Sequence, residues 1–147
     1  MVLSYLIYTS EKSEDVTEKD VAEIIDVAKT RNLSMNISGV LIDTGSFFIQ
    51  YLEGDRKSIN SLYNKIRKDK RHHNVQLALF EDLKGSYIFK DWGMAALECN
   101  DDTKRILKKY LGAKMGCDTD LSGMPAVLLL DMLVEISVLY TLDWKMK

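Results

Sequence analysis

Residues 47–54 read FFIQYLEG, from Phe47 to Gly54. In an extended strand successive side chains point to opposite faces, so Phe48, Gln50 and Leu52 share one face while Phe47, Ile49 and Tyr51 share the other. Gln50 apart, both faces are apolar. A strand of that kind is covered on both sides, which calls for a layered domain with this segment inside it. A primary amide buried there must find partners or cost roughly 1–3 kcal/mol. Gln50 is therefore the residue whose surroundings need explaining.

The flanking sequence supplies the layers. Ser38 to Ile42, the turn Asp43-Thr44-Gly45-Ser46 and Phe47 to Leu52 predict a hairpin, with Gly45 taking the unusual backbone angles and Glu53-Gly54-Asp55 breaking the second strand. Leu3 to Thr9 predicts an opening strand. Thr17 and Asp20 have capping-box spacing, and Val21, Ile24, Ile25 and Ala28 then make the apolar stripe of a helix that stops near Asn32. Asp55 or Ser58 caps a second helix, where Ile59, Leu62, Tyr63 and Ile66 repeat that stripe before KDKRHHN ends it. Val75 to Phe80 and Gly93 to Leu97 predict two further strands. The order β-α-β-β-α-β-β resembles a ferredoxin-like α+β sandwich, with both helices on one face of a mixed sheet.

Two helices follow, a short one around Lys104 to Tyr110 and a longer one from Pro125 to near Leu142. The longer has only a narrow polar stripe at Asp131 and Glu135, so it packs on most of its circumference. It is expected to cover the sheet face bearing Phe47, Ile49 and Tyr51, leaving Gln50 facing the two matched helices. Its remaining apolar surface predicts self-association. The 147 residues thus divide into a domain over 1–98 and a helical extension over 99–147.

Twenty Lys and Arg against 22 Asp and Glu give a net charge of −2, which leaves no global field favouring nucleic acid or an anionic membrane. Cys99 and Cys117 lack metal-ligand spacing, and the histidines His72 and His73 are adjacent, so no metal site is expected. Reduced thiols and a cytoplasmic location fit that cysteine usage. The N-terminal MVLSYLIYTSEKS has no basic region ahead of its short apolar run, unlike a signal peptide. The apolar stretch beginning at Ala126 carries Asp131 and Glu135, which fits a buried helix and not a membrane span.

An amide offers two donors and an acceptor, which suits bridging a phenol to the polar edge of a heteroaromatic ring; Tyr8 on the opening strand can supply the phenol. Taken singly, the polar residues have ordinary structural readings. Tyr8 is core, Gln50 a structural bridge, Asn32 a helix C-cap, Lys65 to His73 a solvated helix end, and Trp92 and Met94 packing on one strand face. Taken together, Tyr8 and Ser10, Arg31-Asn32, Ser38-Gly39, FFIQYLEG, the run Asp69-Lys70-Arg71-His72-His73 and Trp92-Gly93-Met94 resemble, in order and spacing, the BLUF blue-light photoreceptors.

The resemblance implies a noncovalent flavin between the two helices, FAD first, with FMN or riboflavin as alternatives. Residues 1–98 would be the flavin-binding domain and 99–147 an oligomerisation or output extension. Gln50 and Asn32 would read the ring edge, Tyr8 would be the photochemical electron and proton donor, and Gln50 the switch. Met94 or Trp92 would carry the signal along the last strand, where Gly93 is expected to ease their exchange. Ile24 and Ile66 would clamp the ring, with Phe48 and Leu52 on the strand side. Ser10 and Arg31 belong to the binding motifs; Lys65, Arg71 and His72 would face the ribityl and phosphate end, positioned by Asp69. The implied protein is a sensor and not an enzyme, resembling short BLUF proteins that form homo-oligomeric rings and release a response-regulator-like protein partner. Two other classes remain open: a ferredoxin-like small-molecule enzyme built on Arg31, Asn32, Arg71 and His72, and a ligand-free oligomeric interaction module.

Overall fold

The computed structural model describes residues 1–90, 92–98, 100–111 and 123–146, with side chains described except at 98, 111 and 140–146. Cys99 and Cys117, with the expectation of reduced thiols, lie outside the described residues. The elements are β1 (Leu3–Lys12), α1 (Glu18–Ser34), β2 (Ser38–Asp43), β3 (Phe47–Asp55), α2 (Arg56–Ile66), β4 (His72–Asp82), β5 (Ala95–Glu98), α3 (Asp101–Leu111) and α4 (Ala126–Met146). The strands form one five-stranded sheet in the order β4-β1-β3-β2-β5. β3 is antiparallel to both β1 and β2, and β5 alone runs parallel to its neighbour β2. This is the α+β ferredoxin-like sandwich that the element order implies.

Local chemistry explains several boundaries. The hydroxyl of Thr17 accepts from the Asp20 amide at 3.2 Å while the Asp20 carboxylate accepts from the Thr17 amide at 2.8 Å, closing the capping box that starts α1. Asp55 accepts from the Ser58 amide at 3.3 Å and caps α2. At the hairpin, Gly45 has φ +106°, a conformation that side chains disfavour. The strand break expected at Glu53-Gly54-Asp55 does not occur. β3 continues to Asp55 because β1 supplies antiparallel partners as far as Leu3, and that pairing outweighs the weak strand preference of the three residues.

The sheet separates two cores. On one face Leu6, Tyr8, Leu41, Phe48 and Leu52 pack with Val21 and Ala28 of α1 and Ile59, Leu62 and Tyr63 of α2. On the other, Val40, Ile42, Ile49 and Tyr51 pack under Ile106 and Leu107 of α3 and Leu129, Met132, Leu133 and Ile136 of α4. The Glu135 carboxylate ties the two covering helices together, accepting from the Tyr110 hydroxyl at 2.7 Å and the Lys109 ammonium at 3.0 Å.

The apolar surface expected on α4 is largely spent inside this chain. Leu133 is fully buried and Ile136 nearly so, whereas Val127 and Val138 are the large hydrophobic side chains of α4 exposed among the described residues. Scattered exposed valines are ordinary for a folded surface. Leu133→Ala should therefore cost about 2–5 kcal/mol by denaturant unfolding, and Val127→Asp should stay within about 0.5 kcal/mol. Similar small effects at both positions would mean that α4 is not docked on the sheet.

Candidate functional site

The strand register places Tyr8 directly across from Gln50, and Gln50 across from Leu41 on the other side. All three belong to the face covered by α1 and α2. The Tyr8 hydroxyl donates to Oε1 of Gln50, and the Gln50 amide nitrogen approaches Sδ of Met94 at 3.5 Å. These contacts answer the question raised by a buried amide in an apolar strand: its acceptor is taken by a phenol and its donor group faces a thioether, a weak acceptor. Burial pushes the Tyr8 phenol well above its ordinary value, with Tyr63 and Asp69 adding to the rise and Arg31 opposing it. The hydroxyl therefore stays protonated and acts as the donor.

A cavity of about 320 Å³ opens above this pair. Its floor is Tyr8, Leu41, Phe48 and Gln50; α1 contributes Glu23, Ile24, Val27, Ala28 and Arg31; the end of α2, the turn after it and the start of β4 contribute Ile66, Asp69, Arg71 and His72. Asp69 grips Arg71 through side-chain bonds of 2.6 and 3.0 Å and also accepts from its backbone amide at 3.0 Å. The Arg71 bonds hold the Asp69 carboxyl below the usual carboxylate range. Arg31 is half-buried and meets a neutral group, Oδ1 of Asn32, at 3.3 Å. His72 bridges Oγ of Ser10 at 2.8 Å and the Ile66 carbonyl at 2.6 Å. A carbonyl only accepts, so Nε2 carries a proton, and in the neutral ring Nδ1 accepts from the Ser10 hydroxyl.

The structure brings together Tyr8, Ile24, Arg31, Phe48, Gln50, Ile66, Asp69, Arg71 and His72 around one cavity. Ser10 stands behind His72, Met94 reaches the site through Gln50, and Leu52 is fully buried in the same core. Lys65 is exposed on α2 and does not line the cavity. The Asn32 amide nitrogen donates to the Gly93 carbonyl at 2.8 Å. α1 continues past Asn32 to Ser34 and is capped at Met35, so Asn32 is a buried last-turn residue and not the C-cap. Glu23, Val27, Ala28 and Leu41 are lining residues that the sequence reading did not assign to the site. Val27 is 57% exposed because it forms part of an open wall. The helical spacing of Glu23, Ile24, Val27 and Arg31 could have revealed them as one face.

Trp92 and Met94 do not share a strand face. Both precede β5: Met94 packs in the Tyr8 core, whereas Trp92 stacks on Phe89, with centroids 5.5 Å apart, against the opposite core. Gly93 between them has a packing reason for lacking a side chain. A Cβ there would stand 2.7 Å from the Lys29 carbonyl oxygen and 2.8 Å from Cγ of Leu33, so α1 lies directly on this backbone. The Trp92 carbonyl also accepts from the Gly39 amide at 2.8 Å.

Residues 3–95 match the family model described as BLUF, sensors of blue-light using FAD. The chain belongs to the BLUF family. It is 35% identical over 74 residues to the blue light- and temperature-regulated antirepressor BluF of Escherichia coli strain K12, a match covering 50% of this chain and 18% of that protein. The chain thus spans only a minor part of that relative's length. Among solved structures, the dark state of the BLUF protein BlrB aligns with a TM-score of 0.73 and 26% identity, covering 93% of this chain and 97% of that one. The photo-activated state of BlsA aligns with a TM-score of 0.80 over 91% of this chain and 94% of that one, at 24% identity, which supports the shared fold.

The site residues fit the flavin that the BLUF family uses. The cavity volume falls within the range of small-molecule pockets, about 300–1,000 Å³. Its apolar surface at Ile24, Val27, Ala28, Leu41, Phe48 and Ile66 suits a flat aromatic ring, a ring carbonyl would be a stronger acceptor for the Gln50 amide than a thioether, and Arg31 offers a cation that faces no carboxylate in its 3.3 Å contact. No helix among the described residues is long and apolar enough to cross a membrane.

Gly93→Ala should lower stability by about 1–3 kcal/mol, because the obstructing atom belongs to helix backbone and cannot swing aside. Thermal melting of the two proteins under identical flavin saturation measures the difference; an unchanged midpoint would contradict the close approach of α1.

Proposed function

We propose that this chain is a cytoplasmic, cycling blue-light sensor in which Tyr8 and Gln50 carry the photochemistry and the segment ending at Met94 carries the response. The observation that supports this most is the buried chain from the Tyr8 hydroxyl to Gln50 Oε1 and from Gln50 Nε2 to Met94 Sδ. It joins a phenol at the cavity floor to a residue next to the output segment through one rotatable amide.

When bound, the flavin supplies blue-light absorption and an excited state that accepts an electron. Tyr8 is the residue set to lose that electron together with its hydroxyl proton, which has a ready acceptor in the carbonyl oxygen of Gln50. As the electron and the proton both return to Tyr8, Gln50 re-forms with its amide turned or tautomerised, exchanging acceptor for donor at the site edge. That exchange alters what Met94 meets. Ile24 and Ile66 would hold the ring from either side, while Arg31, with Arg71 and His72 at the mouth, would face the ribityl and phosphate portion. Asp69 already neutralises Arg71, so Arg31 is the stronger candidate for an anionic group.

Residues 1–98 would form the flavin-binding unit and residues 99–147 the output extension, with the signal passed noncovalently to a response-regulator-like or other protein partner and no reaction catalysed on a substrate. Self-association, as a ring or dimer, would have to use surface other than Leu133 and Ile136, since both are core.

Tyr8→Phe and Gln50→Leu should both fold and bind flavin: each preserves side-chain volume, Gln50→Leu removes the buried amide itself, and Tyr8→Phe forfeits the hydrogen bond to Gln50 Oε1 at a cost of about 1–3 kcal/mol. The unmodified protein should show a reversible red shift of the flavin bands after blue illumination, and both variants should lose it. A normal shift with normal dark recovery in Gln50→Leu would refute the role given to Gln50.

A further inference from the structure

Glu53 is a carboxylate with no exposed surface. It lies three residues beyond Gln50 on β3, so the two side chains leave opposite faces of the strand. Its oxygens accept from the Tyr51 hydroxyl at 2.9 Å, the Ile88 amide at 2.9 Å and the Phe89 amide at 2.6 Å. Burial raises this carboxyl, and the three donors oppose the rise. Buried charge is costly unless it is hydrogen-bonded, and here every bond tethers either β3 itself or the connection between β4 and β5.

That connection is the one that ends at Met94. From its anchored start, Phe89 stands edge-on to Tyr51 at 5.1 Å and stacks on Trp92 at 5.5 Å, and the Phe89 carbonyl accepts from the Trp92 amide at 3.0 Å. The same short segment then crosses to the other face, where Met94 meets Gln50. One strand thus holds both ends of the segment: Gln50 at Met94 on the cavity side, Glu53 at Ile88 and Phe89 on the α4 side.

Resting on the sensor reading above, we infer that Glu53 is a positioning residue for the photoresponse, anchoring residues 88–94 to β3 so that rearrangement at Gln50 strains this segment against a fixed point. A loose start would let Met94 follow Gln50 without transmitting strain, and would ease its return.

The flavin-loaded Glu53→Gln protein tests this. An amide nitrogen replaces one carboxylate oxygen, so a donor faces a donor on one side of the anchor. The variant should bind flavin with an unaltered dark spectrum and form the red-shifted state, but recover in the dark about fivefold faster. Hydrogen exchange at the amides of 88 and 89 should rise, and the light-minus-dark difference over 88–94 should shrink. Faster exchange at these amides with recovery within about twofold of the unmodified protein would reduce Glu53 to a structural role and overturn the inference. If Glu53→Gln does not fold, Tyr51→Phe removes one of the three bonds and keeps the ring contacts; it should shift recovery in the same direction, and unchanged recovery there overturns the inference equally. An unmodified protein without a red shift would defeat the sensor reading itself, whereas a normal shift with insensitive variants would defeat only the role of Glu53.

Discussion

β3 is hydrogen-bonded on both edges and buried on both faces, and the rest of the molecule is arranged around that condition. Antiparallel pairing with β1 fixes which residue lies across from Gln50, and a slip of one position would turn Gln50 to the other core. The register therefore sets the chemistry: Tyr8 is opposite, its hydroxyl finds the amide, and Leu41 closes the other flank. The cost of burying an amide among isoleucine, leucine and phenylalanine is met by that phenol. One hydrogen bond thus joins the buried amide to a buried phenol whose protonated form burial favours.

The described residues of the connection, 88–90 and 92–94, are irregular in backbone yet tied at many points. Glu53 holds its start, Gly39 and Asn32 hold the carbonyls of Trp92 and Gly93, and α1 lies against Gly93 with no room for a side chain. Such a segment differs from a mobile loop, because its few backbone groups are bonded to two strands and a helix. Like the central strands, it touches both cores within a few residues, with Trp92 in one and Met94 in the other.

Electrostatics divide the cavity. Its floor is apolar apart from the Tyr8 and Gln50 pair, whereas its mouth gathers Arg31, Asp69, Arg71 and His72. The charges at the mouth are not equivalent. Arg71 is paired with Asp69, and His72 is held between Ser10 and the Ile66 carbonyl, while Arg31 is half-buried beside a neutral amide. The polarity gradient from floor to mouth matches a ligand with a flat ring and a hydrophilic tail, in accord with the flavin that the BLUF family uses.

The two-sided burial of FFIQYLEG, the hairpin at Gly45, the capping box at Thr17 and the matched stripes of α1 and α2 were all legible in the sequence, because each depends on neighbours within a few residues. The family resemblance was legible as well, since it rests on residue types in order. Three features were not. Glu53 reads as a strand breaker because carboxylates are rarely buried; two of its three donors, the amides of Ile88 and Phe89, lie thirty-five and thirty-six residues away in the chain. Gly93 reads as looseness because intrinsic preference knows nothing of Lys29, whose carbonyl stands where a side chain would go. Trp92 and Met94 read as one strand face because period-two alternation assumes a regular strand, and packing against α1 makes the backbone there irregular. Short-range pattern determined the elements and the face on which Gln50 lies; contacts between distant segments, which no local pattern encodes, decided what surrounds it.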